Sequence, residues 1–418
     1  LLNNKETKNI NNYCIFLRNC NLIFSRSPVS ADLKDYNGFM ELPKVNPPIL
    51  VTTQNKLTEI AVSIAVEPRL AIDTESNSLF AYQERVCLLQ ISTPAVDYLF
   101  DPFSIQDFSP LAPIFANPAI EKIFHAAEYD IICLKRDYNF EFNNLFDTML
   151  AARILGLTEI WLGSLLKTRF DLSLDKRFQR ANWGIRPLSE AMLAYAALDT
   201  HYLFALHDQL YAELADQQLD ALAEEDFKFI SKVEGHSQNG NSTNCWKVAG
   251  AHHITPQQAA ILDQLCRYRD DQARKADLPH FKVLPNQLLV DLCLAEITSL
   301  DDVENIAGMT PKLFRRHGEH LLEEIKKGQN ATPIIKPLRP KLDKAYLDRI
   351  EALKAWRKMK GKKRKVESDV VLPKDLMESL AYHHPHTKKE MTGLFQDFPY
   401  RQRKYGKEIL ALLNKEEA

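Results

Sequence analysis

The sequence predicts an α/β domain of mixed sheet followed by two small all-helical domains. Three observations carry the prediction. Strand-like and helical runs alternate from Ile49 to Leu214, the text reads as helices only beyond Ser237, and that helical part repeats itself at one fixed offset. The 418 residues, 45% hydrophobic and 26% charged, suit a multidomain globular chain. No uninterrupted apolar run approaches the roughly 18 residues of a spanning helix.

Within the α/β part, Leu70-Ala71-Ile72, Val86–Ile91 and Val96–Phe100 read as strands separated by turn-forming residues, an arrangement that fits an antiparallel meander. Lys122-Ile123-Phe124 reads as a further short strand, and an apolar helical pattern follows through Ile131, Ile132 and Leu134. Helices then dominate to Leu214. The polar stretch from Ser237 through Asn244 marks a boundary. Beyond it, an offset of 88 residues without gaps places Leu265 on Leu353, Tyr268 on Trp356, Arg269 on Arg357, Leu284-Pro285 on Leu372-Pro373 and Gly318 on Gly406. One offset holding over the whole span points to duplication, with Pro333, Pro337 and Pro340 at the joint. The expected divisions are an extension over 1–44, the α/β domain over 45–215, a connecting segment over 216–250, and helical domains over 251–332 and 340–418.

Residues 1–39 are rich in Asn and show no clean period, and Met40-Glu41-Leu42-Pro43 leads into regular structure. The natural start is therefore expected at Met40. The competing reading is a targeting peptide, which Lys5, Lys8, Arg18 and Arg26 fit and Glu6, Asp32 and Asp35 do not. Seven scattered cysteines without a Cys-x-x-Cys pair favour a reducing cytosol and argue against a structural zinc. The net charge of −2 hides an asymmetry: residues 336–418 carry 21 Lys+Arg against 12 Asp+Glu, and the rest 32 against 43. A basic tail on an acidic front fits a catalytic domain joined to a module that meets polyanions, and equally a merely solvated tail.

Asp73 and Glu75 stand two apart at the end of an apolar strand, so both carboxylates leave one face. Two acids that close repel unless a cation neutralises them, and paired oxygen donors suit Mg²⁺ or Mn²⁺. Asp-x-Glu alone is a weak signal, since two solvent-facing strand acids give the same pattern. Asp130 sits between Tyr129 and Ile131, a poor place for simple solvation, with a capping aspartate as the alternative. Tyr195 and Asp199 share a face of a strongly helical run, where the plain reading is a core tyrosine below an exposed aspartate.

In their order and setting, Asp73-x-Glu75, the segment from His125 to Asp130, and Tyr195-x-x-x-Asp199 resemble the three exonuclease motifs of the DEDD superfamily, tyrosine subtype. Trp183-Gly184-Ile185-Arg186-Pro187-Leu188-Ser189, and Phe146-Asp147-Thr148 followed by Ala151–Gly156, look like ribonuclease D in particular. The helical repeats resemble paired HRDC domains, with Leu284-Pro285 and Arg316-x-Gly318 as landmarks. The resemblance spans residues 45–415 and departs from pattern at Ala126, where many relatives carry asparagine, and more widely in the second repeat.

The resemblance implies a ribonuclease H-like fold in which Asp73, Glu75, Asp130 and Asp199 hold two divalent ions, Mg²⁺ or Mn²⁺. Tyr195, helped by Glu75, would orient the attacking water; its ordinary pKa near 10 argues against a phenolate base. The reaction implied is release of nucleoside 5′-monophosphates from RNA 3′ ends. Transfer-RNA precursors are the implied substrate, the cytoplasm the location, and no obligatory protein partner is evident. Trp183 and Arg186 are candidates for stacking on or pairing with the RNA end, or for plugging the helix entry. Gln90 and His125 either face the nucleotide or fill the core. Lys362, Lys363 and Arg364, in a basic run expected in a loop beside Trp356, would neutralise phosphates or simply be solvated. A DNA 3′→5′ exonuclease of the same superfamily and a non-catalytic nucleic-acid-binding scaffold are the alternatives.

Overall fold

The computed structural model describes residues 45–235, 244–250, 252–336 and 343–414. The expectations for residues 1–44, including the start at Met40, for the polar segment from Ser237, and for Pro337 and Pro340 lie outside the described residues. Six strands form one sheet: β1 (Ile49–Val51), β2 (Arg69–Ser76), β3 (Val86–Ser92), β4 (Asp97–Phe100), β5 (Glu121–Phe124) and β6 (Leu145–Asp147). Helices α1 (Gln54–Ile64), α2 (Ala112–Ala116), α3 (Glu128–Tyr138), α4 (Thr148–Leu155), α5 (Leu162–Phe170), α6 (Glu190–His201), α7 (Leu203–Asp216) and α8 (Asp220–Ser231) complete the α/β part. The helical repeats comprise α9 (Cys245–Ala249), α10 (Pro256–Ala276), α11 (His280–Val283), α12 (Asn286–Leu294), α13 (Leu300–Glu304) and α14 (Pro311–Asn330), then α15 (Lys344–Arg364), α16 (Ser368–Val371), α17 (Lys374–His383), α18 (Lys388–Leu394) and α19 (Pro399–Leu413). Among the described residues, no helix is long and apolar enough to cross a membrane.

The sheet order is β1-β4-β3-β2-β5-β6, with β3 and β4 antiparallel and the β1/β4, β2/β5 and β5/β6 pairs parallel. The mixed sheet follows the expectation. The edge strands β1 and β6 are additions, each too short at three residues to show a period in sequence. All seven residues of β3 are buried, as befits a central strand covered on both faces. One core, with Leu57, Ile60, Ile72, Leu89, Phe100 and Leu134, lies under α1 and α3; another, with Ala71, Ile123, Phe146, Leu206 and Leu210, lies under α4 and α7. The segment read as a connector contains α8, whose Leu222, Ala223 and Phe227 join this second core.

The described residues form two compact units, one of residues 45–75, 86–235 and 343–414, the other of residues 76–85, 244–250 and 252–336. The duplication is exact in outline. Helices α10 to α14 begin at 256, 280, 286, 300 and 311, and α15 to α19 begin 88 residues later at 344, 368, 374, 388 and 399. Internal contacts repeat as well. Arg269 donates to Leu284 O at 3.2 Å and Arg357 to Leu372 O at 3.0 Å. Tyr268 meets His317 edge-on at 5.8 Å, and Trp356 meets Tyr405 edge-on at 5.5 Å. In the first repeat α10 and α14 touch so closely that a Cβ on Gly328 would lie 2.4 Å from Ile261 Cα, so this crossing demands glycine.

His207 on α7 is buried, with Nδ1 2.9 Å from Asp208 and Nε2 3.0 Å from Glu121. Burial alone would lower its pKa, but the two carboxylates outweigh it and the net shift is upward from 6.5. A raised folded-state value means that the stabilisation is complete below 6.5 and is lost as pH rises through the folded value. The urea midpoint of wild type should therefore exceed that of His207→Gln by a margin that narrows as pH rises above 6.5; a margin independent of pH would contradict the pairing.

Candidate active site

Asp73 and Glu75 leave one face at the C-terminal end of β2, where the apolar Leu70-Ala71-Ile72 anchors the strand in the core. Helix α6 brings Asp199 to them. Oxygen atoms of Asp73, Glu75 and Asp199 lie within 4.8 Å of one another. Asp130, in the first turn of α3, stands outside that set of three and accepts hydrogen bonds from the Thr74 hydroxyl and backbone N–H. Its negative charge is nevertheless felt by both Asp73 and Glu75.

Burial and mutual repulsion set the electrostatics. The carboxyls of Asp73 and Glu75 are pushed well above their ordinary range, first by burial and then by the neighbouring acids. Burial raises Asp130 to about 7 against the Thr74 hydrogen bond, and raises Asp199 to about 7 against a hydrogen bond from Tyr195. Tyr195 is raised too, by burial and by the charges of Asp199, Glu75 and Asp73, so at neutral pH it is a phenol that donates to Asp199. Four acids crowded at such cost, with only hard oxygen donors, are the donor set that a divalent cation neutralises.

Helix α6 is fixed by groups to which the sequence reading gave other or no roles. Ser189 caps it by accepting from Met192 N, and its last turn is tied to the sheet by a buried network in which His201 Nδ1 lies 2.9 Å from Asp97, and Ser92 reaches Asp97 and Thr200 at 2.6 Å each. Trp183, 1% exposed, packs among Leu88, Leu99, Met192 and Ala196, with its ring centroid 6.1 Å from that of Tyr195. Arg186 commits all five of its donors: two reach Asp101 at 2.6 and 2.9 Å, and the others reach the carbonyls of Cys87, Trp183 and Ile185. Both residues are thus corrected from RNA contacts to supports of the segment entering α6. Gln90 is corrected likewise. It is 0% exposed on β3, beyond reach of a strand of RNA.

Asp147 was missed as a site residue. Only 1% exposed, it caps α4 through Met149 N and Leu150 N and also accepts from Ala126 N at 3.1 Å and Ala127 N at 2.8 Å, gripping the turn that leads into Asp130. Ala126 has φ 63 in that turn. Asparagine would tolerate this left-handed backbone better than the alanine found here. The Thr148 hydroxyl donates to Phe124 O and therefore accepts from His125 Nδ1 at 2.9 Å. Burial lowers His125 to about 4, so the ring is neutral. Of the candidate RNA contacts in the α/β domain, His125 alone shares a cavity with Tyr195 and Asp199. This cavity, of about 380 Å³, is also lined by Trp161, Gly163, Ser164 and Lys176.

The basic run lies in the last two turns of α15 and not in a loop. Lys and Arg are good helix formers, and cations at a helix C-terminus meet its negative dipole end. Lys362 and Lys363 are exposed, whereas Arg364 lies 3.3 Å from the Tyr405 hydroxyl and Lys360 pairs with Glu408.

A mixed-sheet domain that gathers four acids and a tyrosine beside a cavity, followed by duplicated helical modules, defines the class: a ribonuclease H-like exonuclease domain with accessory helical domains. A family model described as 3′-5′ exonuclease matches residues 48–215, and one described as HRDC domain matches residues 258–325 and 347–413. Residues 48–215 are thus a 3′-5′ exonuclease domain, and residues 258–325 and 347–413 are HRDC domains. It is 32% identical to the exosome complex exonuclease RRP6 of Saccharomyces cerevisiae over 311 residues, which are 69% of this chain and 42% of that protein. It is 35% identical to the exosome complex component 10 homolog of Caenorhabditis elegans, over 60% of this chain and 29% of that protein. The chain thus spans less than half of these relatives' length. Among solved structures, ribonuclease D of Escherichia coli matches with a TM-score of 0.63 and 23% identity, covering 84% of this chain and 99% of that one, a likeness of fold.

Proposed function

We propose that this chain is a divalent-metal-dependent 3′→5′ exoribonuclease that releases nucleoside 5′-monophosphates. The observation that carries the reading is the meeting of Asp73, Glu75 and Asp199, with Asp130 and Tyr195 alongside, next to a cavity of about 380 Å³ that Tyr195 and Asp199 line. Asp73, Glu75, Asp130 and Asp199 would hold the cations, with Mg²⁺ or Mn²⁺ favoured by an all-oxygen donor set. Bound there, such ions would supply charge stabilisation for an in-line displacement at phosphorus. The protein's own groups do the rest. Tyr195, held protonated, orients the attacking water through its hydroxyl; Glu75 accepts a hydrogen bond from that water; Trp183 and the Asp147 cradle keep the tyrosine and the Asp130 turn in place.

The names of relatives support RNA as the substrate: one is an exosome exonuclease, and the ribonuclease D structure is described as an exoribonuclease involved in structured RNA processing. Transfer-RNA precursors, as the finer substrate, rest on the motif resemblance. Lys362 and Lys363 remain candidates for holding the RNA backbone, supported by their exposure at the end of α15.

The test is product analysis on RNA labelled at its 3′ end. The labelled mononucleotide should be the first product, and a labelled oligonucleotide instead would discard the 3′→5′ reading. Tyr195→Phe should slow single-turnover release roughly 10²-fold, as loss of an orienting group at the reacting water does. The same variant should keep the rise in Tm that divalent ions give. Unchanged turnover would discard the tyrosine assignment.

A further inference from the structure

The cavity beside Tyr195 and Asp199 is bordered by one residue that the acidic motifs do not include. Trp161 lies on its rim, 65% exposed, immediately before α5. Its neighbours Ile160 and Leu162 pack against the core of the α/β domain, whereas Trp161 does not join that cluster. Nor does its side chain serve the helix it precedes: α5 starts without a side-chain cap at this position, where Ser, Thr, Asp or Asn is the usual choice. A tryptophan side chain that neither caps nor is buried presents a broad apolar face to water at a cost, and tryptophan is enriched where proteins make contacts. The same rim carries Lys176, whose Cε runs 3.9 Å from where a Gly163 Cβ would stand, so an aromatic plane and a cation border one opening. That pairing of ring and charge is how proteins hold single strands without reading their sequence: bases stack on the aromatic face while the cation meets the backbone.

We propose that Trp161 is the stacking platform for the base of the 3′-terminal nucleotide, so that the chain grips an RNA end of any sequence by its last base. The proposal rests on the exonuclease reading and adds a substrate-binding residue to it. Every base offers a π-face, so a platform of this kind lets successive 3′ ends enter the site irrespective of sequence. Its contribution is made in the bound ground state and carries into the transition state, so its loss raises KM and leaves kcat in place.

The experiment compares wild type, Trp161→Ala and Trp161→Phe on a single-stranded RNA in three forms: unmodified, with an abasic 3′-terminal nucleotide, and with an abasic penultimate nucleotide. Trp161→Ala should raise KM roughly tenfold on the unmodified strand with kcat within about twofold, and Trp161→Phe should recover most of the loss. The terminal abasic site should raise KM for wild type by a similar factor and have little further effect on Trp161→Ala, because both changes remove one interaction. Independent, multiplying effects, or an unchanged KM in Trp161→Ala, would overturn the stacking role; coupling at the penultimate base alone would overturn its assignment to the terminal one. Failure of wild type to degrade the unmodified strand would instead sink the exonuclease reading, a result distinguishable from all of these.

Discussion

Asp199→Asn is expected to lose activity by several orders of magnitude while making the metal-free protein more stable. Burial raises this carboxyl to about 7 from 3.8, so the folded chain holds its proton more tightly than the unfolded chain does. The contribution of this carboxyl to stability then falls as pH rises from 3.8 to about 7 and levels off above, and the neutral amide escapes that fall. The gap in Tm between Asp199→Asn and wild type, measured with EDTA present, should open across this interval. It should correspond to roughly 2–4 °C for each kcal/mol relieved. Mg²⁺ or Mn²⁺ should raise the Tm of wild type and leave that of the variant nearly unmoved. A variant less stable than wild type at pH 8 in EDTA would show that the acids are not in electrostatic conflict. This trade of stability for function is what an acidic centre built for a cation should display.

Arg401→Ala should be strongly destabilising. Arg401 is 0% exposed and donates to Glu225 at 2.9 Å, Asp226 at 3.0 Å and Val370 O at 2.9 Å. Glu225, on α8, also accepts the backbone N–H groups of Tyr400 and Arg401, taking the place of the missing N-cap on α19. Burial raises both Glu225 and Asp226, so removing the guanidinium leaves two poorly solvated acids without their counter-charge. Breaking a buried pair in this way costs about 3–5 kcal/mol. Urea unfolding should show the loss, and Arg401→Ala with Glu225→Gln and Asp226→Asn should recover part of it. A cost below about 1 kcal/mol would mean that the pair is no more than a surface ion pair.

The fold class and the acidic centre were legible because each has a local signature. Asp73 and Glu75 follow an apolar strand at period two, Tyr195 and Asp199 follow the helical period, and the repeat needs only one offset to be seen. What escaped depends on partners distant in sequence. Nothing in Phe146-Asp147-Thr148 shows that Asp147 grips the turn at Ala126, or that α8 supplies the cap of α19. The 88-residue offset even sets Arg401 opposite Leu313, so the duplication hides the residue that ties the second repeat to α8. Trp183 and Arg186 read as substrate contacts because an aromatic and a cation near a catalytic helix suit either role; only burial and the five committed donors of Arg186 separate the two. Trp161, in an unremarkable stretch of sequence, shows its character through exposure on the cavity rim.

The most direct test follows single-stranded RNA labelled at its 5′ end over time, with wild type and Asp199→Asn, in Mg²⁺, Mn²⁺ or EDTA. Wild type with a divalent ion should give a ladder that shortens one nucleotide at a time, and EDTA or the variant should leave the strand intact. An equal ladder in EDTA, or from Asp199→Asn, would contradict the acidic centre as the seat of the reaction; binding without shortening under every metal condition would leave a nucleic-acid scaffold in place of an enzyme.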